Sequence, residues 1–241
     1  MPIHDIISLL KTNPYPGRGI VLGRSVDNCS ALLVYFIMGR SENSRNRIFA
    51  ETPDGIETQA HDPLKLADPS LVIYHPVRRI EANGDILHIV TNGDQTETIK
   101  DYLMEGKSYL DALMTREFEP DPPIYTPRIS GMLFPYGSYM LSILKSLDMS
   151  PDCCSRHFFT YDFPQPGEGH YICTYQGDGN PPLSFDGEPL RVSLPQGGLG
   201  EIADSLWSAM NSDNKVSLYV SEIDLVNRES MAIVKNKNRG D

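Results

Sequence analysis

Residues 17–47 read GRGIVLGRSVDNCSALLVYFIMGRSENSRNR. Two apolar runs, Ile20–Leu22 and Ala31–Met38, are separated by Ser25-Val26-Asp27-Asn28. β-Branched and aromatic residues fill the runs, and an Asp-Asn pair can turn the chain between them, so the stretch predicts a β-hairpin. Each run ends in Gly-Arg-Ser, at 23–25 and again at 39–41. Five of the chain's thirteen arginines (Arg18, Arg24, Arg40, Arg45 and Arg47) fall within these thirty-one residues. A guanidinium is a planar fork of donors that fits phosphate or carboxylate bidentately. Pairing with surface carboxylates accounts for any one of the five; the cluster as a whole points to something anionic.

That cluster stands out because the protein is acidic, with a net charge of −11 over 241 residues. The balance argues against general nucleic-acid binding, which calls for a basic face, but allows a local positive pocket for a small anion. The length suffices for one full core and by itself fits one large domain as well as two; a single domain over 1–241 is the reading adopted. No apolar run approaches the roughly 20 residues that span a bilayer, so no membrane partner is expected. The N-terminal MPIHDIISLLKTNP lacks a basic region and a small-residue cleavage site and does not read as a signal peptide. Cys29, Cys153, Cys154 and Cys173 lack metal-ligand spacing. They read as free thiols in a reducing cytoplasm, with no metal.

Outward from the hairpin, apolar spacing over Ile3–Lys11 predicts a short helix, ended by Asn13-Pro14-Tyr15-Pro16-Gly17. Short strands are expected at Ile48–Glu51 and Gly55–Gln59 around Pro53-Asp54-Gly55. Residues 63–69 read as a loop or short helix. A strand interrupted by Pro76 is expected over 71–80, then a turn at Asn83-Gly84-Asp85 into Ile86–Thr91. Thr91-Asn92-Gly93-Asp94 leaves that strand for a helix, with Asp94 as N-cap and Glu97 as its capping-box partner. The first-turn N–H groups could hold an anion, or the cap could be structural only. A second helix is expected over Lys107–Thr115. The proline-laden segment 118–129 is stiffened in the way proline stiffens any loop, and carries Glu119, Asp121, Tyr125, Thr126 and Arg128. Met140–Leu147 suits strand or helix; Arg156–Asp162, His170–Tyr175 and Val216–Ile223 suit strands; Leu199–Met210 is an amphipathic helix. The polar tail 235–241 is expected to fray. Many strands with grouped helices indicate an α+β fold of layered sheets rather than alternating βαβ units.

Taken in order, four segments resemble the IMP cyclohydrolases of archaea and their bacterial IMP cyclohydrolase-like relatives. They are Gly17-Arg18…Gly23-Arg24-Ser25; Arg40-Ser41…Asn46-Arg47; Thr91 through Ile99 (TNGDQTETI); and Thr126-Pro127-Arg128-Ile129. Tyr74…Arg78-Ile80 and Phe118-Glu119 are similar to the family's Tyr-containing strand and aromatic-Glu pair. The resemblance is good over 17–135 and looser beyond, where HYICTY at 170–175 matches. The chain departs from the archaeal pattern in an N-terminal helix (1–16), a longer loop between Glu119 and Thr126, and a longer C-terminal half. The resemblance implies a four-layer α-β-β-α sandwich similar to the N-terminal-nucleophile hydrolase fold, without autoprocessing. The sequence agrees: no Cys, Ser or Thr between Gly17 and Gly23 is poised to become a new N-terminus. It also implies the closing step of purine synthesis, in which the carboxamide nitrogen of 5-formamidoimidazole-4-carboxamide ribotide attacks its own formyl carbon and water leaves to give IMP.

Such a reaction is intramolecular and rests on orientation, without a cofactor. Arg24 and Arg47, with Arg40 and Arg128 next, are expected to grip the 5′-phosphate; Arg18 and Arg45 are expected to be solvated. Glu119, if buried, would shuttle protons from the carboxamide to the leaving hydroxyl. Tyr74 would donate to the formyl oxygen, and Arg78 or the N–H groups at Asn92 and Gly93 would stabilise its charge. Asn92 could instead bond the carboxamide, and Thr126 lies in the binding set. Tyr74 could equally be an ordinary half-buried strand tyrosine, and His75 and His170 are alternative proton carriers. The competing functions are a purine-nucleotide-binding protein without catalysis and an amidohydrolase acting on a related substrate. The expected partner is the nucleotide, with a homo-oligomer left open.

Overall fold

The computed structural model describes residues 2–65, 73–82 and 84–240. In chain order the elements are β1 (His4–Asp5), α1 (Ile6–Thr12), β2 (Arg18–Arg24), β3 (Ser30–Met38), α2 (Glu42–Arg45), β4 (Arg47–Thr52), β5 (Gly55–Ala60), β6 (Val77–Ala82) and β7 (Asp85–Thr91). There follow α3 (Gln95–Met104), α4 (Tyr109–Met114), β8 (Arg128–Leu133), β9 (Tyr139–Ser146), β10 (Cys154–Tyr161), β11 (Glu168–Cys173), β12 (Leu190–Ser193), α5 (Leu199–Ala209), β13 (Lys215–Asp224) and β14 (Ser230–Asn236). The chain is α+β. One seven-stranded sheet runs β1-β12-β11-β2-β3-β13-β14 and the other β10-β9-β8-β7-β6-β5-β4. Among the strands named here every pairing is antiparallel except β1 with β12.

The hairpin read from residues 17–47 is the centre of the first sheet. β2 pairs with β3 from Arg18 opposite Ile37 to Arg24 opposite Ala31. All nine residues of β3 are buried, which is why its sequence is a continuous apolar run without polar alternation. The inner faces of the sheets meet closely: a Cβ on Gly131 of β8 would stand 3.0 Å from Leu22 of β2. Tyr35 of β3 stacks on Phe49 of β4 across the same interface. α5 packs on β13 and β14. Ile99, Leu103, Tyr109 and Leu113 of α3 and α4 form a separate cluster with Ile80, Leu87, Ile89, Met132 and Leu144 of the second sheet. Among the described residues no helix is long and apolar enough to cross a membrane.

Several expectations shift. Residues 4 and 5 pair with β12, so the first helix starts at Ile6, where the Asp5 carboxylate accepts from the Ile7 and Ser8 amides. Residues 71 and 72, with the end of the 63–69 segment and Asn83, lie outside the described residues; the strand after them begins at Val77, past the proline. Asp94 does not cap α3 through its side chain, because its backbone is already helical and its carboxylate is held by Arg116 and Arg128. The tail does not fray as expected: beyond the last strand, Lys237 donates to the Ser212 and Asp213 carbonyls and Asn238 to the Arg45 carbonyl. Ser230–Asn236 is a strand along β13, and the buried Asn236 side chain bonds both the N–H and the C=O of Phe49, tying the two sheets together.

Candidate active site

The arginines separate along the hairpin. Arg18 and Arg24 begin and end β2, so about 20 Å of strand lies between them. Arg18 is buried, at 9 % exposure, contrary to its expected solvation. Gly17 makes this possible: its φ is +76°, and a Cβ there would run into Thr174 and Tyr175. Arg47 opens β4 and is 5 % exposed. Both line a cleft of about 240 Å³ with Arg40, Glu119, Asp121, Thr126, Tyr15 and Tyr175. The buried Nε atoms of Arg18 and Arg47, and Nη1 of Arg47, have no hydrogen-bond partner among the described residues. Donors so placed suit an anion entering the cleft.

Burial and the facing charge of Arg18 pull the Arg47 guanidinium below its usual range. Burial works on Arg18 in the same direction, but Tyr175, Glu119 and Tyr74 outweigh it and hold that group above the usual range. Glu119 is itself buried, and desolvation raises its carboxyl above the ordinary 4.5 although Arg18, Arg128 and Arg47 oppose the shift. The cleft therefore joins two close cations to a carboxyl that holds its proton to higher pH than a solvated glutamate.

The loop that carries Glu119 is closed on Asp121. That carboxylate accepts from the Thr126 amide at 2.7 Å and from its hydroxyl at 2.6 Å. The Thr126 proton being so used, the Tyr175 hydroxyl donates to Thr126, 2.8 Å away. The Glu119 amide donates to the Thr126 carbonyl, fixing the carboxylate's root. Arg40 stacks over Tyr15 and donates to the carbonyls of Asp178 and Gly179, at the cleft mouth.

Arg128 is buried and reaches Gln95 at 2.7 Å and Asp94 at 2.8 Å. The Asn92 side chain is consumed internally: it donates to the Pro127 carbonyl and accepts from the Ile129 amide and Gln95. Its visible work is to align β8 so that Arg128 faces Glu119. Gly93 leaves room for that meeting. A Cβ there would strike Arg128, stand 2.7 Å from Gln95 Oε1 and 3.4 Å from Glu119 Oε1. Gly93→Ala is thus expected to displace Arg128 and destabilise the protein by about 1–3 kcal/mol, read from urea unfolding.

Tyr74 is 7 % exposed, bonds the Tyr35 hydroxyl at 3.0 Å and bears electrostatically on both Arg18 and Arg47. Arg78 is elsewhere. It bonds Glu97 of α3 at 2.6 Å and also Asp54, on the helix-covered side of the second sheet. Arg24 lies near Gly137 at the far end of β2. Arg45 donates to the Gly39 carbonyl at 2.9 Å. The structure thus brings Arg40, Arg47, Tyr74, Glu119, Thr126 and Arg128 together, with Asn92 and Gly93 behind them, and leaves Arg24, Arg45 and Arg78 out. The residues not foreseen are Arg18, Tyr15, Tyr35 and Tyr175. Arg18 carried a signal, a Gly on either side, that marks a strand start crowded by neighbours.

His88 and His170 are both held at about 4, chiefly by burial, and His170 takes its place opposite Tyr139, away from the cleft. Among the described residues no group of three or more His, Cys, Asp or Glu could hold a metal ion. No curated protein matches the chain. The profile of the family described as IMP cyclohydrolase-like protein matches residues 15–228, a span that takes in the whole cleft. The chain belongs to the IMP cyclohydrolase-like family.

Proposed function

We propose that this protein is a cyclohydrolase of purine biosynthesis that closes 5-formamidoimidazole-4-carboxamide ribotide to IMP in the cleft between Arg18, Arg47 and Glu119. The observation that carries the reading is the buried guanidinium pair, with three nitrogens unpartnered among the described residues, beside a carboxyl of raised pKa within the matched span. The pair suits the 5′-phosphate or a charge developing on the ring substituents. Holding formyl and carboxamide together removes the entropy of encounter, and binding energy at the phosphate helps enforce that geometry. The carboxamide nitrogen then attacks the formyl carbon. A C–N bond forms, the nitrogen loses a proton to Glu119, and the formyl oxygen takes one from Tyr74. The C–O bond breaks next as the former formamide nitrogen forms the C=N bond; the proton on Glu119 leaves with the departing water, and the formamide N–H proton returns to Tyr74. Arg128 and the Gly93 region bear on Glu119; Thr126, Arg40 and Arg47 belong to the binding wall. Arg24 and Arg78 take no part, on grounds of position.

In this reading the enzyme is cytoplasmic and needs no cofactor, and the layers of helix and sheet are a variant of the α-β-β-α sandwich similar to the N-terminal-nucleophile hydrolases. Ring closure is followed by ultraviolet absorbance with EDTA present. Turnover above the spontaneous rate is expected. No turnover, with thermal stabilisation by IMP, would instead make the protein a nucleotide binder. Absence of both would leave the family likeness reporting fold alone.

A further inference from the structure

The Tyr35 hydroxyl lies at the middle of β3 with no solvent exposure, its ring stacked on Phe49. Among the described residues its partner is the Tyr74 hydroxyl, at 3.0 Å. Two phenols sharing one hydrogen bond can point either way. A buried hydroxyl with a single neighbour must donate to it or leave its proton unpaired, which is costly. Tyr74 is less enclosed: it keeps 7 % exposure and bears electrostatically on Arg18 and Arg47 of the cleft.

We infer that Tyr35 is a positioning residue: it donates to the Tyr74 oxygen and so frees the Tyr74 proton for a ligand in the cleft. Burial, together with Tyr74, pushes the Tyr35 phenol well above its usual range, so Tyr35 remains a donor at any working pH. Two other buried phenols have a different kind of partner: Tyr109 meets Ser142, and Tyr139 meets His170. The direction of the bond is independent of the reaction; its use, protonation of the formyl oxygen, rests on the cyclohydrolase reading.

Tyr35→Phe keeps the ring and its stacking and removes only the donor. Its kcat for the formamido ribotide is expected to fall roughly tenfold, the kinetic equivalent of one ordinary hydrogen bond, with KM within about twofold. Adding Tyr35→Phe to Tyr74→Phe is expected to cost nothing further, since Tyr35 acts only through Tyr74. A neutron structure of the perdeuterated, ligand-free protein is expected to show the bridging deuteron on Tyr35. Losses that multiply in the double variant, or a change confined to KM, would overturn the positioning role. A deuteron on Tyr74 pointing at Tyr35 would overturn the inference whatever the activity. A wild-type protein without turnover would sink the cyclohydrolase reading, and the deuteron would still decide the direction of the bond.

Discussion

Glu119→Gln is expected to lower kcat by about 10²- to 10⁴-fold, the usual contribution of a positioned proton carrier. The amide keeps the size and most of the hydrogen-bonding shape of the acid, so the loop closed by Asp121 and Thr126 has no reason to move. What disappears is the ability to take the carboxamide proton and return it to the departing hydroxyl. Binding should respond in the opposite sense. Glu119 is a negative neighbour of Arg18, Arg128 and Arg47, and neutralising it leaves a more positive cleft. The affinity of IMP, measured by calorimetry, is expected to stay level or improve while turnover collapses. Turnover that survives the substitution would assign the proton transfers to another group.

The same residue makes a prediction about pH and stability. Its folded-state pKa is raised above the ordinary 4.5, chiefly by desolvation. The folded protein therefore binds a proton that the unfolded chain has released. Stability from this group is fully present below the unfolded value and is lost as pH rises through the folded one. Urea midpoints of the wild type measured upward from pH 4.5 should carry a falling component that Glu119→Gln lacks, and the difference between the two profiles isolates it. A difference that grows in the other direction would mean the three arginines outweigh burial at this site.

Local chemistry made much of the fold legible. The hairpin, the strands around Pro53-Asp54-Gly55 and the helix ending at Ala209 follow from apolar period and turn residues, which act over a few positions. β1, β12 and β14 were not legible. β1 and β12 are only two and four residues long, β14 is a partly exposed edge strand, and the strand character of all three comes from the partner they lie against. At the site, residue type was readable and placement was not. Arg18 and Arg24 sit in near-identical Gly-Arg contexts six residues apart, so one face of β2 carries both. Which end of that strand meets the 118–127 loop is decided by sheet order, with β11 and β3 flanking β2 and β8 crossing behind it. Asn92 shows the same limit from the other side. Its motif position suggested a ligand group, yet its bonds to residues 127 and 129 come from a strand far along the chain.

Arg47→Met is expected to move function and stability in opposite directions. The Arg47 guanidinium is buried, its charge is opposed by burial and by Arg18, and two of its nitrogens have no partner among the described residues. An apolar side chain of similar length removes that unsatisfied charge, so the free variant should melt at a higher temperature than the wild type. Its affinity for IMP should fall by about 2–4 kcal/mol, roughly 30- to 1000-fold, the loss typical of truncating one partner of a buried charged contact. The thermal shift produced by saturating IMP should accordingly shrink or vanish. Arg18→Met should lose a comparable amount of affinity without the gain in stability, because its charge is favoured by Tyr175, Glu119 and Tyr74. Arg24→Ala, at the far end of β2, should leave the affinity for IMP within about 0.5 kcal/mol of the wild type. If all three variants bound IMP as the wild type does, the anion would be held elsewhere. If Arg47→Met lost both affinity and stability, the pair would be an ordinary structural contact. The predicted split between the two is the mark of a site that stores unfavourable charge for the ligand to relieve.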